Sequence, residues 1–101
     1  MRYNNSMVVV RRLVWDSWNT DHLVHHAVTP DEVDQICKSD PLVQQGKKGR
    51  LVISGKTLAG RFLVVILDPE TELDTYYPVT AYPASGKYRR IYEQEKGEKT
   101  L

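Results

Sequence analysis

The pattern of apolar residues changes at Gly46, and this change constrains the fold more than any other feature of the chain. Before it, two segments carry helix signals. After it, β-rich segments follow one another through short turns. Successive strands joined so tightly must run antiparallel, so the spacing predicts an α+β domain.

The clearest helix start is Thr29-Pro30-Asp31-Glu32. It places a capping hydroxyl, a proline at the first helical position and a glutamate three residues past the cap. Val28 and Val33 stand where a hydrophobic staple would close, Ile36 and Cys37 follow at helical spacing, and Asp40-Pro41 ends the element. A shorter helix, capped by Asn19 or Thr20, is expected to run to about Ala27. Met7 to Trp15 (MVVVRRLVW) reads as an N-terminal strand by its β-branched residues. Past Gly46, Arg50–Gly55 and Arg61–Leu67 form a hairpin and Leu73–Tyr82 a third strand, in which Pro78 signals an edge or a bulge. Ser85 caps a final helix carrying Tyr88, Ile91 and Tyr92 on one face. The expected fold is an antiparallel sheet, an N-terminal strand plus a three-stranded meander, with two N-terminal helices and one C-terminal helix. It forms a single domain over 1–101, frayed at 1–6 and 96–101.

Several function classes fall away. The longest apolar run, Phe62 to Leu67, is far shorter than the roughly 20 residues a membrane helix needs, and Arg11-Arg12 interrupts the early apolar stretch, unlike a signal peptide. One cysteine, Cys37, makes neither an internal disulfide nor a cysteine metal cluster, which suits a reducing cytoplasm. Its place beside Ile36 reads as a small core hydrophobe. His22 and His26 have the i, i+4 spacing of a metal pair, but Leu23 stands where an HExxH motif has glutamate, so no metal and no cofactor is expected. No nucleophile elbow or phosphate-binding glycine loop occurs.

The net charge is only +1, yet it is segregated. Residues 47–61 hold Lys47, Lys48, Arg50, Lys56 and Arg61 with no acid, whereas residues 62–86 hold only acids. A positive face on a neutral molecule suits a polyanion. The groups left for chemistry are His22, His25, His26, Arg50, Arg61, Tyr76, Tyr77, Tyr82, Tyr88, Arg89 and Arg90. Metal-free RNA cleavage uses such groups: a base for the 2′-hydroxyl proton, cations for the phosphorane and an acid for the 5′-oxygen. Read blandly, the tyrosines are sheet residues and the arginines solubilising.

An ordered series of short motifs resembles the BrnT-like toxins. It runs through Trp15-Asp16-Ser17-Trp18-Asn19, His22, His25-His26-Ala27-Val28-Thr29-Pro30-Asp31-Glu32-Val33 and Asp40-Pro41. It continues through Gly49-Arg50, Gly55-Lys56-Thr57, Gly60-Arg61-Phe62-Leu63-Val64-Val65, Val79-Thr80-Ala81-Tyr82-Pro83-Ala84 and Lys87-Tyr88-Arg89-Arg90-Ile91-Tyr92, covering roughly residues 13–93. The resemblance implies a RelE-like fold and a type II toxin that is a metal-independent endoribonuclease. It also implies neutralisation by a ribbon-helix-helix, DNA-binding antitoxin, with the complex repressing its own operon. On it, His26 falls on the family's His-Gly-Val histidine, Arg50 and Arg61 on basic sheet positions, and Arg89-Arg90 on a C-terminal arginine pair. Ala27 replaces the family's glycine, Tyr82 an arginine and Tyr88 a glutamate. The expected catalytic set is then His26 as base or acid, Arg50 and Arg61 on the scissile phosphate, and Tyr82 and Tyr88 assisting. Lys47, Lys48, Lys56, Arg89 and Arg90 would contact RNA. The alternative is a non-catalytic interaction module that binds the ribbon-helix-helix partner and modulates repression.

Overall fold

The computed structural model describes residues 8–97. Its elements in chain order are β1 (Arg12–Leu13), α1 (Ser17–Val24), α2 (Pro30–Cys37), β2 (Leu42–Gln45), β3 (Leu51–Lys56), β4 (Phe62–Pro69), β5 (Thr75–Pro83) and α3 (Gly86–Tyr92). A 3-10 turn, Lys47–Gly49, joins β2 to β3, and a π turn, Glu93–Gly97, follows α3. The strands form one sheet in the order β1-β5-β4-β3-β2.

The α+β class stands, but the sheet is mixed and has five strands. β1 pairs with β5 in parallel and spans two residues, Arg12 opposite Thr75 and Leu13 opposite Tyr76. Of the longer strand expected over residues 7–15, Met7 lies outside the described residues. Val8 and Val10 serve instead as apolar contacts against the core. The strand absent from the sequence reading is β2, which pairs antiparallel with β3 from Leu42 opposite Ser54 to Gln45 opposite Leu51. The meander β3-β4-β5 is antiparallel as expected. Pro78 marks a bulge: Leu67 faces Pro78 while Ile66 faces Thr80, so Val79 has no opposite number.

The helices are fixed by their ends. α1 starts three residues earlier than expected. Asp16, not Asn19 or Thr20, is its cap, accepting the Asn19 N–H at 3.0 Å, while the Asn19 side chain accepts the Asp16 N–H at 2.9 Å. Asn19 is fully buried, and its Nδ2 donates to the carbonyls of Val14 and Pro78, both at 3.0 Å. One side chain thus stitches α1 to the incoming chain and to the bulged strand. At the other end, Val28 N–H bonds Leu23 O at 3.1 Å and Ala27 N–H bonds Val24 O at 3.0 Å, with Ala27 left-handed at φ 54. This is a Schellman ending, and Leu23 and Val28 make its apolar contact in the core. Val28 then precedes the Thr29–Glu32 capping box of α2, where both reciprocal bonds form at 3.1 Å. Ser85 does precede α3, but its hydroxyl makes no capping bond.

The main core lies between one sheet face and α1 and α2, where Leu23, Val28, Val33 and Ile36 meet Leu63 and Val65. α3 takes the other face. Leu42, Phe62 and Val64 are buried there, Tyr92 packs edge-on against Phe62 at 4.9 Å, and Arg89 lies 5.6 Å over the same ring. At the start of the tail expected to fray, Lys96 Nζ lies 3.0 Å from Asp40. Residues 1–7 and 98–101 lie outside the described residues.

Two stability outcomes follow. Asn19→Ala leaves one buried and one part-buried carbonyl without this donor, and should cost about 2 kcal/mol in chemical denaturation at roughly 1–3 kcal/mol per orphaned group. Asn19→Asp, which keeps the acceptor and loses the donor, should not recover it. For Asp16, the Asn19 N–H holds the folded carboxyl below its ordinary value, with Tyr77 adding to the effect against partial burial. A lowered folded pKa stabilises above the ordinary carboxylate range and stops doing so as pH falls through the folded value. The melting-temperature gap between wild type and Asp16→Asn should therefore exist at neutral pH and close on acidification.

Candidate functional site

Cross-strand partners share a sheet face, so the pairing sorts the outer face into rows. One row is Lys56 and Phe62. The next is Leu42, Ser54, Val64 and Tyr82, followed by Gln44, Val52, Ile66 and Thr80. Asp68 and Tyr77 begin the far end, beside Arg50. α3 covers the first two rows, and at its margin the chemistry-bearing side chains collect.

His26 follows α1 in the Schellman turn, with its ring centroid 6.0 Å from that of Tyr82 on β5. Tyr82 is hydrogen-bonded to Tyr88 on α3. Burial raises the Tyr82 hydroxyl above its ordinary pKa, and the neighbouring Tyr88 hydroxyl raises it further. Both effects favour the protonated phenol, so Tyr82 stands at this site as a hydrogen-bond donor and a weaker acid than a free tyrosine. His22 stands 5.8 Å from His26 and stacks flat on Trp18 at 5.3 Å. His25 meets His22 edge-on at 6.2 Å. The fold thus brings together His26, Tyr82 and Tyr88 of the expected catalytic set, while Arg89, the next residue of α3, lies over the Phe62 ring. Arg90 reaches back over the first turn of α3, its Nη1 lying 3.4 Å from where a Cβ on Gly86 would stand.

The two arginines expected on one phosphate are not together. Arg50 precedes β3 and Arg61 precedes β4, at opposite ends of an antiparallel hairpin whose strands are about 17 Å long at 3.4 Å per residue. Arg61 points to the helices. Its Nη1 donates to Ala27 O at 2.6 Å and to Glu32 at 3.0 Å, and its Nη2 to His26 O at 3.3 Å. It therefore positions the His26 turn, with its guanidinium held by Glu32. Arg50 forms a two-point bond with Asp68, Nε to Oδ1 at 2.7 Å and Nη2 to Oδ2 at 3.1 Å. Lys47 and Lys48 are exposed beside it, whereas Lys56 lies at the Phe62 end.

Sequence reading missed Asp16, Asn19, Glu32 and Asp68 as partners. The first two carry a signal already used elsewhere: Asp16 and Asn19 have the three-residue capping spacing of Thr29 and Glu32. The Arg61–Glu32 and Arg50–Asp68 pairs have no local signal. Burial pushes the Cys37 thiol up to about 12, consistent with an inert core thiol. Among the described residues no group of three or more His, Cys, Asp or Glu side chains is placed to hold a metal ion. No helix of the described residues is long and apolar enough to cross a membrane.

Ala27 carries a test of the turn that holds His26. A left-handed alanine costs roughly 1–2 kcal/mol, against about 0.5–1 kcal/mol of extra unfolded-state freedom for glycine. Ala27→Gly should thus raise stability by about 0.5–1 kcal/mol in equilibrium unfolding. A loss of stability would contradict the strained turn. Comparison with known protein families, with curated proteins and with solved structures returns no match.

Proposed function

We propose that the chain is a metal-independent endoribonuclease of the BrnT-like toxin kind, with a RelE-like fold, held in check in the cytoplasm by a ribbon-helix-helix antitoxin. The observation that carries this reading is the His26–Tyr82–Tyr88 cluster, assembled from the α1–α2 corner, β5 and α3. The 6.0 Å between the His26 and Tyr82 rings is short enough for one phosphodiester to meet both. His26 takes the proton of the 2′-hydroxyl, whose oxygen attacks phosphorus. The P–O5′ bond breaks, and the leaving oxygen takes a proton from Tyr82, which its hydrogen bond with Tyr88 holds in place. The products are a 2′,3′-cyclic phosphate and a 5′-hydroxyl. Arg89, whose guanidinium lies over the Phe62 ring, supplies positive charge on the same side of the sheet, and Arg61 acts by holding the His26 turn. The resemblance over residues 13–93 supports the toxin role and the antitoxin partner.

A second reading, a non-catalytic module that binds the partner and modulates repression, draws on one observation. Arg61, a cation that the resemblance assigns to phosphate, is committed to Glu32 and two carbonyls. Incubating the purified, partner-free protein with end-labelled RNA in excess EDTA separates the two. On the catalytic reading, fragments end in a cyclic phosphate, and His26→Gln slows cleavage by about 10²-fold or more without loss of folded protein. Tyr82→Phe, which keeps the ring and removes the proton, should slow it as well. No cleavage by folded protein, with or without ribosomes, leaves the interaction module. If His26→Gln lowers stability while cleavage per folded molecule persists, His26 is a structural residue.

A further inference from the structure

At the end of the outer face away from His26, the turn between β2 and β3 builds a basic notch. Lys47, Lys48 and Arg50 line it with Asp68 and Pro69, around a surface cavity of about 630 Å³. Its shape is fixed locally. Gly46 N–H bonds Arg50 O at 2.7 Å, Lys48 is left-handed at φ 58, and Gly49 at φ 77 backs onto Pro69 so closely that a Cβ there would sit 3.1 Å from the proline ring. Asp68 engages Nε and Nη2 of Arg50, which leaves Nη1 as the guanidinium nitrogen not used in that pair. Three cations against one carboxylate leave the notch positive. The carboxylate holds one cation in a set orientation.

The sheet gives the distance to the His26 cluster. Tyr82 stands opposite Val64, and Tyr77 opposite Asp68. From Val64 to Asp68 along β4 is about 13 Å at 3.4 Å per residue, the length of about four stacked nucleotides, and of fewer when the strand is extended. The stretch between carries Val52, Ile66 and Thr80, a half-buried surface outside the cover of α3.

We infer that the Lys47–Lys48–Arg50 notch is a remote phosphate subsite, which takes a backbone phosphate of single-stranded RNA several nucleotides from the bond cut at His26 and Tyr82. Arg50 then grips the strand and does not stabilise the reacting phosphorane. The inference rests on the reading of the chain as acting on RNA, and gives that substrate a minimum length for full binding. A strand that ends before the notch gains nothing from it. One that reaches it adds contacts from two lysines and an oriented guanidinium.

Oligoribonucleotides from dinucleotide to octanucleotide, with 2′-O-methyl sugars to block cleavage, supply the probe. Their binding is measured against wild type and the double variant Lys47→Ala/Lys48→Ala. Both side chains are exposed, so the variant should melt as wild type does. The expected result is an octanucleotide bound about tenfold more weakly, with the salt slope reduced by about two, and a dinucleotide bound unchanged. Arg50→Ala, which removes the oriented guanidinium, should weaken the octanucleotide alone. Equal losses for both lengths, or none for the octanucleotide, overturn the subsite. Inorganic phosphate that displaces the octanucleotide as well as a trinucleotide does would make the notch a small-anion site, and also overturns it. Unmodified octanucleotide that shows the length-dependent binding loss but is never cleaved keeps the subsite and removes the ribonuclease reading. Cleavage that proceeds without the length-dependent loss does the reverse.

Discussion

The guanidinium of Arg61 joins three parts of the structure that also meet through the apolar core. It comes from the start of β4, accepts the Glu32 carboxylate as counterion, and donates to the carbonyls of Ala27 and His26 at the corner between α1 and α2. Glu32 is simultaneously half of the α2 capping box. Hydrogen bonds to charged groups contribute about 1.5–3 kcal/mol each, and less where water reaches the pair. Here the side chains keep 33% and 23% of their exposure, so screening is partial. Leu23 and Val28 seat the corner on the sheet through the core, and the cation just before β4 adds bonds to the carbonyls of its Schellman turn. That contact, with the core packing of Leu23 and Val28, holds His26 beside Tyr82.

The two sheet faces divide the work. The inner face, covered by α1 and α2, is almost wholly apolar, and Asn19 is the buried polar side chain that anchors a helix over it. The outer face is covered by α3 over only two of its rows. What makes that half-cover stable is aromatic: Tyr92 and Arg89 share the Phe62 ring, and Tyr88 reaches Tyr82. The same residues that hold α3 in place also frame the His26 cluster. Packing and candidate chemistry are therefore not separable on this face.

Local signals were legible in the sequence, and signals that depend on distant partners were not. Thr29 to Glu32 announces a helix start because its capping bonds close within four residues, and Pro78 announces a bulge because it has no N–H to give the ladder. The β2 strand hid because Gln44-Gln45 is polar, and Gln44 is buried only after the sheet and its cover have formed. The Val-rich N-terminus looked like a full strand because β-branched residues suit extended chain. Whether such chain pairs depends on what lies beside it, and here the ladder holds only Arg12 and Leu13. The separation of Arg50 and Arg61 was readable and went unread. Each stands just before one of two successive antiparallel strands, and such strands begin at opposite ends of a sheet.

The bulge at Val79 decides which side chains the outer face presents. Tyr76 packs on the core, so strict alternation along β5 would send every even-numbered residue inward, Thr80 and Tyr82 included. The one unopposed residue inverts the parity. Ala81 goes into the core, and Tyr82 emerges beside Val64 on the far side. A chain one residue shorter at this point would carry the same tyrosine to the wrong face of the sheet, buried among leucines and out of reach of Tyr88. The identity of the outer surface from Thr80 onward is thus set by a counting event within the strand and not by any contact that the tyrosine itself makes.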